Sequence, residues 1–127
     1  MYMVMKPTDS ELEILQILWD LKSATVREVN EELSKARDKE VGYTTTLKLM
    51  QIMHEKGMVE RDISSRTHIY RALANQKDTQ VNLVSKIIDT VFNGSPAQLV
   101  MQALNSKKSS AKEIELIRKY LDKIQNQ

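Results

Sequence analysis

"VGYTTTLKLMQIMHEKGMVER", Val41 to Arg61, opens an apolar, helix-periodic run with three threonines, Thr44, Thr45 and Thr46. Threonine is stiff at χ1 and a mediocre helix former. Three in succession at the head of a helix that must pack therefore need a reason beyond helix formation. At about 100° per residue, Thr46, Leu49, Met50 and Met53 gather on one side. Thr44, Leu47, Lys48, Gln51 and Glu55 lie opposite, with Thr45 and Ile52 on the flank. The helix is expected over about Tyr43–Lys56, with Gly57 as its left-handed stop. Either Gly42 or Thr44 can cap it. Thr46 is expected to turn its methyl into the core, where a β-branched shape fits.

Working outward, two helices precede this one. "TDSE" (Thr8–Glu11) and "TVRE" (Thr25–Glu28) are capping boxes, in which Ser or Thr and Glu satisfy each other's backbone donors. They start helices expected at about Asp9–Leu21 and Val26–Ala36. Leu12, Ile14, Leu15, Leu18 and Trp19 form the inward stripe of the first, and Val26, Val29 and Leu33 that of the second. After Gly57, "MVERDISSRTHIYRAL" has Met58, Val59, Ile63, Ile69, Tyr70 and Leu73 around a polar centre. That pattern predicts two short strands joined by a hairpin.

Beyond residues 74–79 the pattern becomes helical again. "DTQVNLVSKIIDTVFNG" ends at Gly94, "SPAQLVMQALNS" starts with Ser95 as cap and Pro96 at the first helical position, "SKKSS" is a polar break, and "SAKE" (Ser110–Glu113) is a third capping box. The expected fold is mainly α: a winged helix-turn-helix domain in 1–75, three helices plus a β-hairpin wing, then a three-helix region in 76–127. The apolar faces of those last helices are too large for three short elements to hide, so a second chain is their natural cover. Val84, Ile88, Val91, Phe92, Leu99, Val100, Ile117 and Leu121 are the expected dimerisation residues.

Composition narrows the function. The chain has 127 residues, 41% of them hydrophobic, which is enough for a real core. It has no cysteine, so disulfides, thiolate metal sites and a cysteine nucleophile are excluded. His54 and His68 stand apart, no glycine-rich phosphate loop exists among three glycines, and Glu31–Glu32 reads as a solvated helix surface. No enzyme, metal or cofactor is expected. "MYMVMKPTDSELE" has no leader pattern, and no apolar run reaches the roughly 18 residues of a membrane span. Net charge is only +2. Residues 1–75 hold 11 basic against 12 acidic residues, but the acids sit mostly before Val41. A local basic bias after Val41 is compatible with nucleic acid.

The outer face of the Tyr43–Lys56 helix suits a major groove. Hydroxyls and backbone N–H groups of the first turn can bind phosphates, helped by the helix dipole. Lys48 can reach guanine or phosphate, Gln51 can pair with adenine, and a threonine methyl can meet a thymine methyl. Tyr43, Thr44, Thr45, Leu47, Lys48 and Gln51 are the candidates, joined by Arg66 and Thr67 at the hairpin tip. The same residues would also serve as an ordinary solvated face, and "SSRTH" as an ordinary polar turn.

These stretches resemble the penicillinase-repressor (BlaI/MecI/CopY) family of winged-helix transcriptional repressors. "YTTTLKLMQIMHEKGMVER" is similar to that family's "YTT…L…L…L..KG.V.R", and "ELEILQILWDLKSATVREVNEEL" to its opening helices, Trp19 included. The likeness runs through the wing into "FNGSPAQLVMQALNS". It implies a cytoplasmic repressor, dimeric through its C-terminal helices, that binds a palindromic operator with one recognition helix per half-site. In beta-lactam-responsive members, tied to antibiotic resistance, a membrane sensor protease triggers cleavage of an Asn-Phe bond, and the repressor falls off. This chain has Gln102–Ala103 at that place. Copper-responsive members carry a cysteine cluster, which this chain lacks. Ile52 stands where the family often has a basic residue. The alternative is a winged-helix protein-interaction module that does not bind DNA.

Overall fold

The computed structural model describes residues 6–106 and 109–127. Met1–Met5 and Lys107–Lys108 of the polar break lie outside them. Along the chain come α1 (Asp9–Leu21), α2 (Val26–Arg37), α3 (Tyr43–Glu55), β1 (Val59–Asp62), β2 (Ile69–Ala72), α4 (Gln76–Thr90), α5 (Pro96–Leu104) and α6 (Ala111–Gln125). The expected order of three helices, hairpin and three helices holds. No helix among the described residues is long and apolar enough to cross a membrane.

Local chemistry sets the ends. Thr8–Glu11 and Thr25–Glu28 form complete capping boxes, each with both reciprocal bonds. Ser110 Oγ accepts from the Glu113 N–H at 3.1 Å, but the return bond from the Ser110 N–H to the Glu113 carboxylate is not made, so the third box is half of one. Helix α3 ends in a two-bond lock. Gly57 has φ +80°, its N–H donates to His54 O at 3.1 Å, and the Met58 N–H reaches Met53 O at 2.9 Å. Met53 and Met58, brought together by that turn, are both buried. Helix α4 stops at Thr90, four residues before Gly94, which has positive φ and donates its N–H to Ile88 O at 2.8 Å.

The chain divides into two compact units, Met1–Val81 and Asn82–Gln127, with the division inside α4. In the first, Ile14, Leu15, Leu18, Val29, Leu33, Met50, Met53, Val59 and Tyr70 are fully or almost fully buried. Each side chain of that size contributes about 1.5–3 kcal/mol by leaving water. Strands β1 and β2 pair antiparallel, Val59 opposite Ala72 and Arg61 opposite Tyr70. Period-2 alternation sends Val59 and Tyr70 inward and leaves Glu60 and Arg71 outside, facing each other at 3.3 Å. Ile63 and Leu73 of the expected apolar set are exposed, Ile63 in the hairpin turn and Leu73 just after β2. Ala24, between α1 and α2, adds a short third rung: its N–H and C=O exchange bonds of 3.0 and 2.8 Å with Tyr70. On the other side, the Trp19 indole N–H donates to Ala74 O at 2.9 Å and ties the exit of the wing to α1.

One buried charge joins the two ends of this unit. Glu11 is 2% exposed, yet it sits on the i, i+3, i+4, i+7 stripe with Ile14, Leu15 and Leu18. Its Oε2 accepts from Lys56 Nζ at 2.8 Å, and its Oε1 accepts from the Thr8 N–H at 2.9 Å. The pair places an anion at the start of α1 and a cation at the end of α3, each favourable to its helix dipole. Burial pushes the Glu11 carboxyl up. The Lys56 hydrogen bond and charge and the Thr8 bonds outweigh it and hold the group below the ordinary value.

A carboxylate with a depressed folded pKa adds stability above its unfolded pKa and loses it as pH falls through the folded one. Replacing Lys56 with Met is therefore expected to cost about 2 kcal/mol at neutral pH, less than a fully buried pair because Lys56 is partly solvated. Urea unfolding of both proteins should show that gap shrinking as pH falls through the lowered Glu11 pKa, since a protonated Glu11 no longer needs a cation.

Candidate nucleic-acid interface

Helix α3 begins at Gly42, which settles the open choice of cap. Its φ of −62° is ordinary, and it provides no side-chain bond to the helix start. By contrast, Thr8, Thr25, Ser95 and Ser110 each accept a bond from the N3 backbone of their helices. The first helical carbonyl bond here is Thr46 N–H to Gly42 O, at 3.2 Å. Among the described residues, the N–H groups of Tyr43, Thr44 and Thr45 therefore have no side-chain partner, and no acid occupies the first turn. This is a helix start with its positive end uncovered.

The inward face is Thr46, Met50 and Met53, all with 0% exposure. Tyr43, Thr44, Thr45, Lys48 and Gln51 are exposed, and Leu47 and Leu49 lie half-buried against the core. Leu47 thus leans into the packing, while its neighbour Lys48 stands clear. Among the described residues Lys48 has neither a hydrogen-bond nor an ion-pair partner, and the first acid on this helix is Glu55.

Thr46 does more than fill a β-branched space. Its hydroxyl accepts from the Asn30 amide at 2.9 Å, and the same Nδ2 donates to Val41 O at 2.9 Å. Asn30 was not among the candidates read from the sequence. A signal was available: positions 26, 29, 30 and 33 follow the inward i, i+3, i+4, i+7 stripe of α2, and Asn30 is its polar member.

The hairpin tip is built from short polar bonds. Asp62 Oδ1 accepts from the Ser64 N–H at 2.9 Å, which holds the exposed Asp62 carboxyl below its usual range. Ser65 Oγ donates to Thr67 O at 2.7 Å. Arg66, Thr67 and His68 are exposed, and Arg66 has no ion-pair partner among the described residues. The turn thus spends its own acid on backbone geometry and presents a free guanidinium. An exposed cation at the hairpin tip, an uncovered helix start without an acid in its first turn, and exposed Lys48 are each of a chemistry that suits phosphate.

The second unit has a different character. Helices α4, α5 and α6 bury no residue. Of the expected dimerisation residues, Val84, Val91, Val100 and Leu121 are exposed, Val91 at 67%. Ile88, Phe92, Leu99 and Ile117 are half-buried. Gln102 and Ala103 are both exposed and lie inside α5, near its C-terminal end.

Residues 7–123 match the model of the penicillinase repressor family. The methicillin resistance regulatory protein MecI of Mammaliicoccus sciuri is 26% identical over 116 residues, covering 91% of this chain and 93% of that one. The penicillinase repressor of Staphylococcus aureus is 24% identical over 115 residues, covering 91% and 90%. Among solved structures, the DNA-binding domain of the repressor BlaI matches with a TM-score of 0.52 and 24% identity, over 61% of this chain and 93% of that domain. That is a likeness of fold in the winged part.

Replacing Thr46 with Val keeps the shape and removes the acceptor for Asn30. A loss of about 1 kcal/mol is expected, the worth of one partly buried hydrogen bond. Thermal unfolding of the two proteins checks it, and an unchanged midpoint would mean that only the β-branched shape matters.

Proposed function

This chain belongs to the penicillinase repressor family, and we propose that it is a dimeric transcriptional repressor that lays α3 in the major groove of a palindromic operator. It is a regulator rather than an enzyme, and it acts in the compartment that holds the DNA, the cytoplasm. The observation that carries this reading is the uncovered start of α3, with no acid in its first turn. The N–H groups of Tyr43, Thr44 and Thr45 and the two exposed threonine hydroxyls meet backbone phosphates. Lys48 and Gln51, one turn on, reach base edges. The edge of Leu47 left uncovered meets a thymine methyl. Arg66 and Thr67 bring the wing to the flanking backbone.

Two copies are needed for a palindrome, and the second unit is where they join. Three helices without a buried residue, carrying Val84, Val91, Val100, Tyr120 and Leu121 in the open, cannot be stable in water alone. A second copy gives Val84, Ile88, Val91, Phe92, Leu99, Val100, Ile117 and Leu121 their cover. Each α3 then meets one half-site.

Relief of repression goes through the same unit. The Gln102–Ala103 bond is exposed but helical, and a protease binds an extended strand, so the last turn of α5 must unwind before cleavage. A membrane sensor protease that acts here would have to accept Gln-Ala.

A gel-retention assay with the chain's own upstream region tests the DNA reading. Binding is expected that weakens steeply as salt rises, with counterion release as the cause. No binding at low salt would instead favour a protein-interaction module. Lys48→Ala is expected to cost roughly 1–3 kcal/mol of specific affinity if the side chain reads a base. Replacing both Ile117 and Leu121 with Asp should give a monomer in sedimentation, with the winged unit still folded by its tryptophan fluorescence. A dimer that survives both changes would place the interface elsewhere.

A further inference from the structure

We propose that Asn30 is the positioning residue for DNA binding, holding the start of α3 at the angle from which its backbone donors reach phosphate. The inference rests on the DNA-binding reading above and names a residue outside the surface that touches DNA. Asn30 lies in α2, one element before α3. Its single amide nitrogen donates in two directions: to Val41 O, in the chain that leads into α3, and to Thr46 Oγ1, one turn inside it, both at 2.9 Å. Thr46 is fully buried, so this end of the bond cannot exchange for water without opening the core.

Between those two anchors lie Gly42, Tyr43, Thr44 and Thr45. They are the cap without a side-chain bond and the three residues whose N–H groups are uncovered. Ser34 of α2 also holds the Val41 end, its Oγ accepting from the Val41 N–H at 3.1 Å, but among the described residues Asn30 alone joins that end to the first turn of α3 by a side-chain bond from another element. At the Thr46 end the other side-chain contact is Thr46 Oγ1 to Gly42 O at 3.5 Å, which is local to the turn. A capped helix start would be held by its own Ser, Thr or Asp, but that cap would occupy the donors that phosphate needs. Asn30 resolves the conflict by holding the turn from behind. The C-terminal end of α3 is held separately, by Lys56 on Glu11. With both ends fixed from the core side, the outer face stays open along its whole length.

The test is fluorescence anisotropy of the full chain on a labelled duplex of its own upstream region, titrated with salt at a temperature where circular dichroism finds each variant folded. Asn30→Ala is expected to bind ~10-fold more weakly, with a salt slope shallower by about one, as one phosphate contact is lost. Thr46→Val, which keeps the bond to Val41, is expected to show a smaller loss in the same direction. Ile14→Val lowers stability through the core side of α1, takes part in neither of the Asn30 bonds, and is expected to leave affinity and slope unchanged. A folded Asn30→Ala protein with wild-type affinity and slope overturns the proposal. So does an Ile14→Val protein that loses affinity as much as Asn30→Ala, since stability alone would then explain both. Failure of the wild-type chain to bind the duplex at low salt is a different result and overturns the DNA reading itself.

Discussion

On the proposed reading α3 enters a groove, and a helix cannot be held by the face that enters. In this chain α3 is held by its back and by its two ends, and most of the first unit is arranged around that requirement. Met50, Met53 and Thr46 provide the back. Lys56 on buried Glu11 holds one end and the Asn30 amide the other. All three polar residues, Glu11, Asn30 and Thr46, occupy places on apolar stripes where a hydrophobic side chain would pack as well. Buried polar groups tolerate such places only when bonded, and an ill-matched alternative packing would leave them unsatisfied. They therefore fix the position of α3 as well as its attachment.

The remaining parts of the winged unit serve the same helix. The Gly57 turn reverses the chain so that β1 starts directly under Met53. Ala24 pairs with Tyr70 and so ties the α1–α2 connection to the wing, while Arg37 grips Glu13 in a two-bond contact of 2.7 and 3.3 Å and fixes α2 on α1. Charge follows the geometry. Glu11, Glu13 and Asp62 are each spent on an internal bond, while Lys48 and Arg66 are not. A nearly neutral first unit thereby leaves these two cations exposed, which its net charge alone does not announce.

The second unit shows the opposite economy. Its helices are well formed at their starts, with Ser95 and Ser110 as caps, yet none encloses a core. Local signals are enough to make a helix, and burial decides whether it stays. Much of this was legible. Two capping boxes, a glycine stop and an apolar period set helix limits within a residue or two in the first unit. In the hairpin, alternation around a polar centre gave two strands but not which apolar residues point inward, because Ile63 and Leu73 fall just outside the paired segment. The half-formed box at Ser110 and the early end of α4 show that a motif gives the opportunity for a bond, and local geometry decides whether it is made.

By itself the sequence determined the element order, the winged architecture and which face of α3 is polar, because these follow from periodicity, caps and turns within a few residues of one another. Only the tertiary structure decided that Gly42 leaves the α3 start uncovered, that Glu11 meets Lys56 across 45 residues, and that Asn30 reaches both Val41 and Thr46. Those contacts join residues with no sequence relation. A lone polar residue on an apolar stripe signals that some partner exists, and the fold must close before it is known which one.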